Sequence, residues 1–143
     1  MIKAIVNNIQ ELRKVCAEVE PDEDISTILQ DLKDTLATKK GYGLAANQIG
    51  VQKKIAYYVL DGKEVTLINP KIVEKDNKIT FKEGCLSFPG IVILTDRYNT
   101  LTIELDRMPY KQYSADGIEA IIIQHEVDHL NGITIFQRKH KAK

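Results

Sequence analysis

The chain has 143 residues, 43% of them hydrophobic, which supports one domain over 1–143 with a core of ordinary size. Twenty basic residues balance twenty acidic ones, so no global field draws in nucleic acid or an anionic membrane. No apolar run approaches the ~18 residues of a membrane span, and the start, Met1 to Asn8, is too polar for a secretory signal. A cytoplasmic protein with reduced cysteines is expected.

Residues 9–19 place Ile9, Leu12, Cys16 and Val19 at helical spacing and read as a first helix, with Cys16 a small core residue on its apolar stripe. Pro21-Asp22-Glu23-Asp24 ends it and supplies acidic residues to a second helix over 25–40. That helix carries Ile25, Ile28, Leu29, Leu32 and Leu36 on one face and closes with Lys39, Lys40 and Gly41. In the small-residue stretch from Gly41 to Gly50, two glycines flank Tyr42. Backbone or ligand can approach such a stretch closely, although on its own it reads as a helix stop and an irregular connector. Gln48 is its notable polar side chain.

Strands over 55–60 and 64–69 flank Asp61-Gly62-Lys63, a hairpin turn, and strands over 71–74 and 78–82 flank Lys75-Asp76-Asn77, read as a second one. Glu83 to Gly90 breaks the pattern. A short strand over 91–94, an alternating strand over 100–106 and a connector from Met108 to Ala115 follow. Asp116 to Gly132 reads as one helix with a left-handed glycine stop. Ile133 to Phe136 reads as a last strand, and the basic tail from Arg138 to Lys143 as a solvated end with His140 uninvolved. The expected fold is α+β: antiparallel sheets around a central C-terminal helix, with two N-terminal helices.

That C-terminal helix contains His125-Glu126-Val127-Asp128-His129. Residues four apart share a helix face, so both imidazoles can meet one ion while Glu126 reaches a water beside it. The pattern fixes only three positions and also occurs by chance in unrelated helices. Here it continues a run of three isoleucines, where a polar cluster is costly unless something satisfies it. A catalytic site needs a third ligand. The 14 residues after His129 offer only His140, whereas Cys85 sits upstream in a glycine-rich bend. A cysteine with two histidines suits zinc or ferrous iron.

Three stretches then occur in order: Gly41-Tyr42-Gly43-Leu44-Ala45-Ala46-Asn47-Gln48, Glu83-Gly84-Cys85-Leu86-Ser87, and Gln124-His125-Glu126-Val127-Asp128-His129-Leu130. Together they resemble the three signatures of the peptide deformylases, with the likeness running over roughly 25–137. The resemblance implies removal of the N-formyl group from formyl-methionyl nascent chains, with release of formate. It implies Cys85, His125 and His129 as ligands of one divalent ion, natively Fe2+, with Zn2+, Ni2+ or Co2+ able to substitute. Glu126 would be general base and then acid, while Gln48 and the Leu86 backbone N–H would meet the oxyanion. Tyr42, Gly43 and Gly84 would receive an extended peptide as an added strand. Ile121 and Ile122 are candidates for the wall of a methionine pocket, and plain core is the equal alternative.

Two supporting contacts are expected. Glu83 needs a cationic partner, and Arg97 fits the matching place in relatives; Asp128 would orient a ligand imidazole. Unlike many relatives the chain has no proline before Pro21, so its N-terminal region is expected to pack differently; it also has no room for a further C-terminal helix, which puts ribosome docking in doubt and resembles short, phage-encoded forms. A monomer is expected. A peptidase resting on the His pair alone, and a structural metal site in a binding domain, remain as competing readings. The first lacks a downstream ligand, and the second would leave Glu126 without purpose.

Overall fold

The computed structural model describes residues 1–109 and 111–141. Tyr110, within the expected connector, and Ala142 and Lys143, at the end of the expected tail, lie outside the described residues. The helices are α1 (Ile9–Leu12), α2 (Ser26–Leu36) and α3 (Gly117–Leu130). The strands are β1 (Gly43–Ala45), β2 (Ile55–Leu60), β3 (Lys63–Ile68), β4 (Lys71–Glu83), β5 (Ile93–Glu104) and β6 (Gln112–Asp116). They form two antiparallel sheets, ordered β1-β2-β3 and β4-β5-β6. The α+β reading therefore holds, with α3 packed on β1 and β2 from one sheet and on β5 and β6 from the other.

Helix α3 is buried almost all round, from Ala120 to Gln124 and from Glu126 to Leu130. Ile123, Val127 and Leu130 pack with Cys16, Ala45, Tyr58, Leu67 and Ile103 in one core. Leu32 and Leu36 of α2 join Leu44, Ile55 and Tyr57 in a second. Gly132 stops α3 at φ +74, and a β-carbon there would lie 2.4 Å from the Arg13 carbonyl oxygen. No residue but glycine fits both demands.

Several expected elements differ. The first helix is a single turn capped by Asn8, whose side chain accepts from Gln10 and Glu11 N–H. Beyond it the backbone is claimed by tertiary partners: Cys16 N–H donates to the Leu130 carbonyl, and Ala17 bridges Lys53. Cys16 is core, as read, but not on a helix. Helix α2 ends at Leu36, short of Lys40. The Asp61-Gly62 turn is real, with both residues at positive φ.

The second hairpin is not. Lys75-Asp76-Asn77 lies inside the 13-residue β4, which pairs with β5 along its length. Asn77 takes a left-handed φ of 62 without reversing the chain, a conformation asparagine tolerates. The true reversal is the Gly84-to-Val92 segment that carries Cys85. The two strands expected over 91–94 and 100–106 are parts of one, β5 (Ile93–Glu104), and the connector holds β6. The expected last strand is a 3-10 turn over Ile135–Arg138, capped by the Thr134 side chain. His140 is engaged: its N–H donates to the Leu94 carbonyl and its Nδ1 lies 2.7 Å from Asp96 Oδ1.

Candidate metal centre and its cleft

Cys85 follows directly from the end of β4 through Gly84, and its carbonyl accepts the Phe88 N–H in a tight turn. This turns its sulfur towards α3. His129 Nε2 lies 3.4 Å from Cys85 Sγ and 3.1 Å from His125 Nε2. A tetrahedral ion with N at about 2.1 Å and S at about 2.3 Å separates its ligand atoms by roughly 3.4–3.6 Å. Two ring nitrogens and one sulfur converging this closely therefore fit a shared cation. The described residues contain no second group of this kind. His129 is fully buried, and burial together with the neighbouring cationic charge holds its pKa well down, as a neutral ligand requires.

Around this point the carboxylates divide. Glu83 Oε1 lies 2.9 Å from His125 Nδ1. The same carboxylate accepts Arg97 Nη2 at 2.9 Å and Nε at 2.5 Å, and the Thr95 hydroxyl. Burial would raise its pKa, but the bonds from His125 and Arg97 prevail and hold it at about 2. Arg97 Nη1 continues to Asp128 Oδ2 at 2.6 Å. Arg138 then grips both Asp128 oxygens at 3.0 and 2.9 Å. Asp128 thus touches neither imidazole, and the expectation that it orients one is corrected: the acceptor on His125 is Glu83. Arg138, read as part of a solvated tail, is the last member of this chain of charges.

Glu126 is the opposite case. It is 2% exposed, and its Oε1 has no hydrogen-bond partner among the described residues. Burial pushes its pKa up to about 7. Its Oε2 would lie 2.7 Å from a β-carbon at position 43, so Gly43 keeps that space open. Gln48, in the 3-10 turn Ala46–Ile49, is fixed at both ends. Its Oε1 accepts the Ala45 N–H at 3.0 Å, and its Nε2 faces Ser87 Oγ at 3.1 Å and Cys85 Sγ at 3.6 Å. Asn47 Nδ2 donates to the His129 carbonyl at 2.7 Å, tying this turn to α3. Ser87 lay inside the second recognised stretch, but its bond to Gln48 was not foreseen.

A cleft of about 720 Å³ opens onto the cluster and is lined by Tyr42, Gly43, Gln48, Gly84, Cys85, Leu86, Ile121, Ile122, His125 and Glu126, among others. Ile121 and Ile122 are therefore both buried and cleft-facing. Glu83 also borders the cleft, whereas Arg97 and Asp128 stand behind it. A groove over β4, β5 and β6 shares no residue with the cluster.

Residues 2–143 match the family model described as polypeptide deformylase. The chain is 37% identical to the peptide deformylase of Neisseria meningitidis, over 98% of this chain and 90% of that one. It is 38% identical to that of Aquifex aeolicus, over 82% and 74%. Among solved structures, peptide deformylase from Thermotoga maritima superposes with a TM-score of 0.89 at 32% identity, over 99% of both chains. The enzyme from Vibrio parahaemolyticus bacteriophage VP16T, in complex with actinonin, gives 0.86 at 36%, over 94% and 100%. A likeness that runs nearly end to end, joined to a sulfur and two imidazoles meeting at one point, makes this chain a member of the peptide deformylase family, the metal-dependent hydrolases that remove the N-formyl group from nascent peptides.

Proposed function

We propose that Cys85, His125 and His129 hold one divalent ion, natively Fe2+, and that Glu126 moves the protons in deformylation of formyl-methionyl nascent chains. The enzyme acts in the cytoplasm as a monomer, with residues 1–143 as one catalytic domain. The observation that carries this reading is the convergence of one sulfur and two ring nitrogens within 4.8 Å beside a buried carboxylate with one oxygen unpartnered among the described residues. A thiolate with two imidazoles suits Fe2+ or Zn2+, and Ni2+ or Co2+ can take the same donors. Bound there, the ion lowers the pKa of a water and polarises the formyl carbonyl.

The chain's own residues do the rest. Glu126, whose Oε1 has no partner among the described residues and which lines the cleft, takes the proton from the attacking water. The same carboxylic acid then protonates the leaving amide nitrogen. Gln48, locked by Ala45 and Ser87, presents Nε2 to the oxygen of the tetrahedral intermediate without having to reorganise, and the Leu86 N–H is the second donor. Glu83 fixes the tautomer of His125 by accepting from Nδ1, which leaves Nε2 free for the ion. The open edge of β1 at Gly43, with Tyr42 beside it and Gly84 opposite, offers backbone partners to an extended peptide. Ile121 and Ile122 supply an apolar wall for the methionine side chain.

The test is anaerobic purification with metal analysis, followed by formate release from formyl-Met-Ala-Ser. Glu126→Ala should retain the metal and lose the release. Cleavage of the unformylated peptide instead would make the protein a peptidase and end this proposal.

A further inference from the structure

The rim of the cleft carries charge that the chemistry does not use. Lys39, Lys40 and Lys82 line it, all three exposed, and none makes an ion pair among the described residues. Among the described residues of the lining the only carboxylates are Glu83 and Glu126, which are 5% and 2% exposed. A chain of zero net charge therefore presents a purely cationic mouth at this place. The remaining rim is apolar, with Val92 67% and Ile118 40% exposed.

The direction in which a peptide must leave the reacting centre decides what meets these lysines. The general base stands against Gly43. Beyond it in one direction, Ala45, Ala46 and Asn47 are wholly buried and close the path. In the other direction, Tyr42, Gly41, Lys40 and Lys39 line the opening. An extended chain with its formyl end at the ion therefore runs antiparallel to β1, advancing about 3.3 Å per residue. Its residues after the methionine pass Lys40 and Lys39. Lys82, next to Glu83 at the end of β4, flanks the opposite side. Gly41 itself packs closely on the Leu86 side chain, which would lie 3.1 Å from a β-carbon there.

We propose that this rim selects formylated peptides with acidic residues in the two or three positions after methionine. The inference rests on the deformylase reading and adds a substrate preference to it. Exposed lysine–carboxylate pairs are individually weak and screened by salt, so the preference is one of degree.

Three amidated peptides test it without a confounding terminal carboxylate: formyl-Met-Asp-Glu-Ala, formyl-Met-Ala-Ala-Ala and formyl-Met-Lys-Arg-Ala amides. At low ionic strength kcat/KM should fall in that order, with about fivefold between the acidic and neutral substrates. The acidic-to-neutral ratio should shrink towards one in about 0.5 M NaCl and in the K39A/K40A/K82A variant. Equal efficiency on all three, or a ratio that survives both salt and the triple variant, overturns the inference. Absence of formate from all three peptides overturns the deformylase reading itself.

Discussion

Two carboxylates border the same pair of imidazoles, both almost wholly buried, and their surroundings could hardly differ more. Glu83 accepts bonds from His125, Arg97 and Thr95 and is held at about 2. Glu126 has an oxygen with no partner among the described residues and is pushed up to about 7. Burial raises the pKa of both, and the bonds from His125 and Arg97 that Glu83 alone accepts pull its value down. A carboxylate saturated with donors is fixed in place and cannot exchange a proton near neutrality. One left unsatisfied beside an open cleft can. On the proposed mechanism Glu83 holds the His125 ring and Glu126 performs the acid–base step.

Substitution should widen the contrast. The largest effect is expected from Glu126→Gln: about a 1000-fold fall in kcat for formate release, with cobalt stoichiometry unchanged. In the metal-free protein the same change should leave urea stability equal or higher, because an unpaired buried carboxylate is removed. Glu83→Ala should do the reverse. It leaves Arg97 buried with Asp128 alone and frees His125 Nδ1, costing about 3–5 kcal/mol in urea unfolding. Metal affinity should fall about 10- to 100-fold in a cobalt titration. A Glu83→Ala protein with wild-type stability would refute the division of labour.

Acidity sharpens the comparison from both sides. The depressed pKa of Glu83 contributes stability that is present above its ordinary value of 4.5 and is lost as pH falls from there towards 2. The raised pKa of Glu126 works oppositely: the metal-free protein loses stability as pH rises from 4.5 towards 7, because the unfolded chain ionises first. Urea midpoints of apo protein should therefore flatten on the acid side in Glu83→Gln and on the neutral side in Glu126→Gln. A smaller effect is expected at Arg138, whose side chain is 41% exposed. Arg138→Ala should cost about 1 kcal/mol, and Arg138→Lys should restore part of it. Smaller still in structural consequence is the contrast between thiols. Burial pushes Cys16 up to about 11, so a thiol reagent at pH 8 should label Cys85 in apo protein and spare Cys16. Added metal should protect Cys85.

The sequence disclosed the site better than the strands around it. Helical spacing brings His125 and His129 to one face whatever surrounds them, and the glycine-flanked bend marked Cys85. The pairing of β4 with β5 depends on contacts far apart in the chain, so Lys75-Asp76-Asn77 passed for a turn on composition. Residues 13–19 were read as helix because their spacing is helical, yet their backbone groups are taken by Leu130 and Gln52. The expectation for Asp128 rests on the need of metal-bound imidazoles for an acceptor, yet side chains one apart on a helix point different ways, and Asp128 turns to Arg97 and Arg138 instead. Arg138 was invisible for a related reason: nothing in a lysine-rich tail announces which cation folds back.

The fold-back has a practical side. Arg138 clasps Asp128, and within two residues Lys139 bridges Thr95 while His140 meets Asp96, so the end of the chain is sewn to the strand that bears Arg97. A purification handle or fluorescent fusion attached beyond His140 tugs on a seam that leads through Arg97 and Glu83 to the His125 ring. The same attachment at Met1, whose amine meets Asp31 and Asp34 of α2, leaves that seam alone.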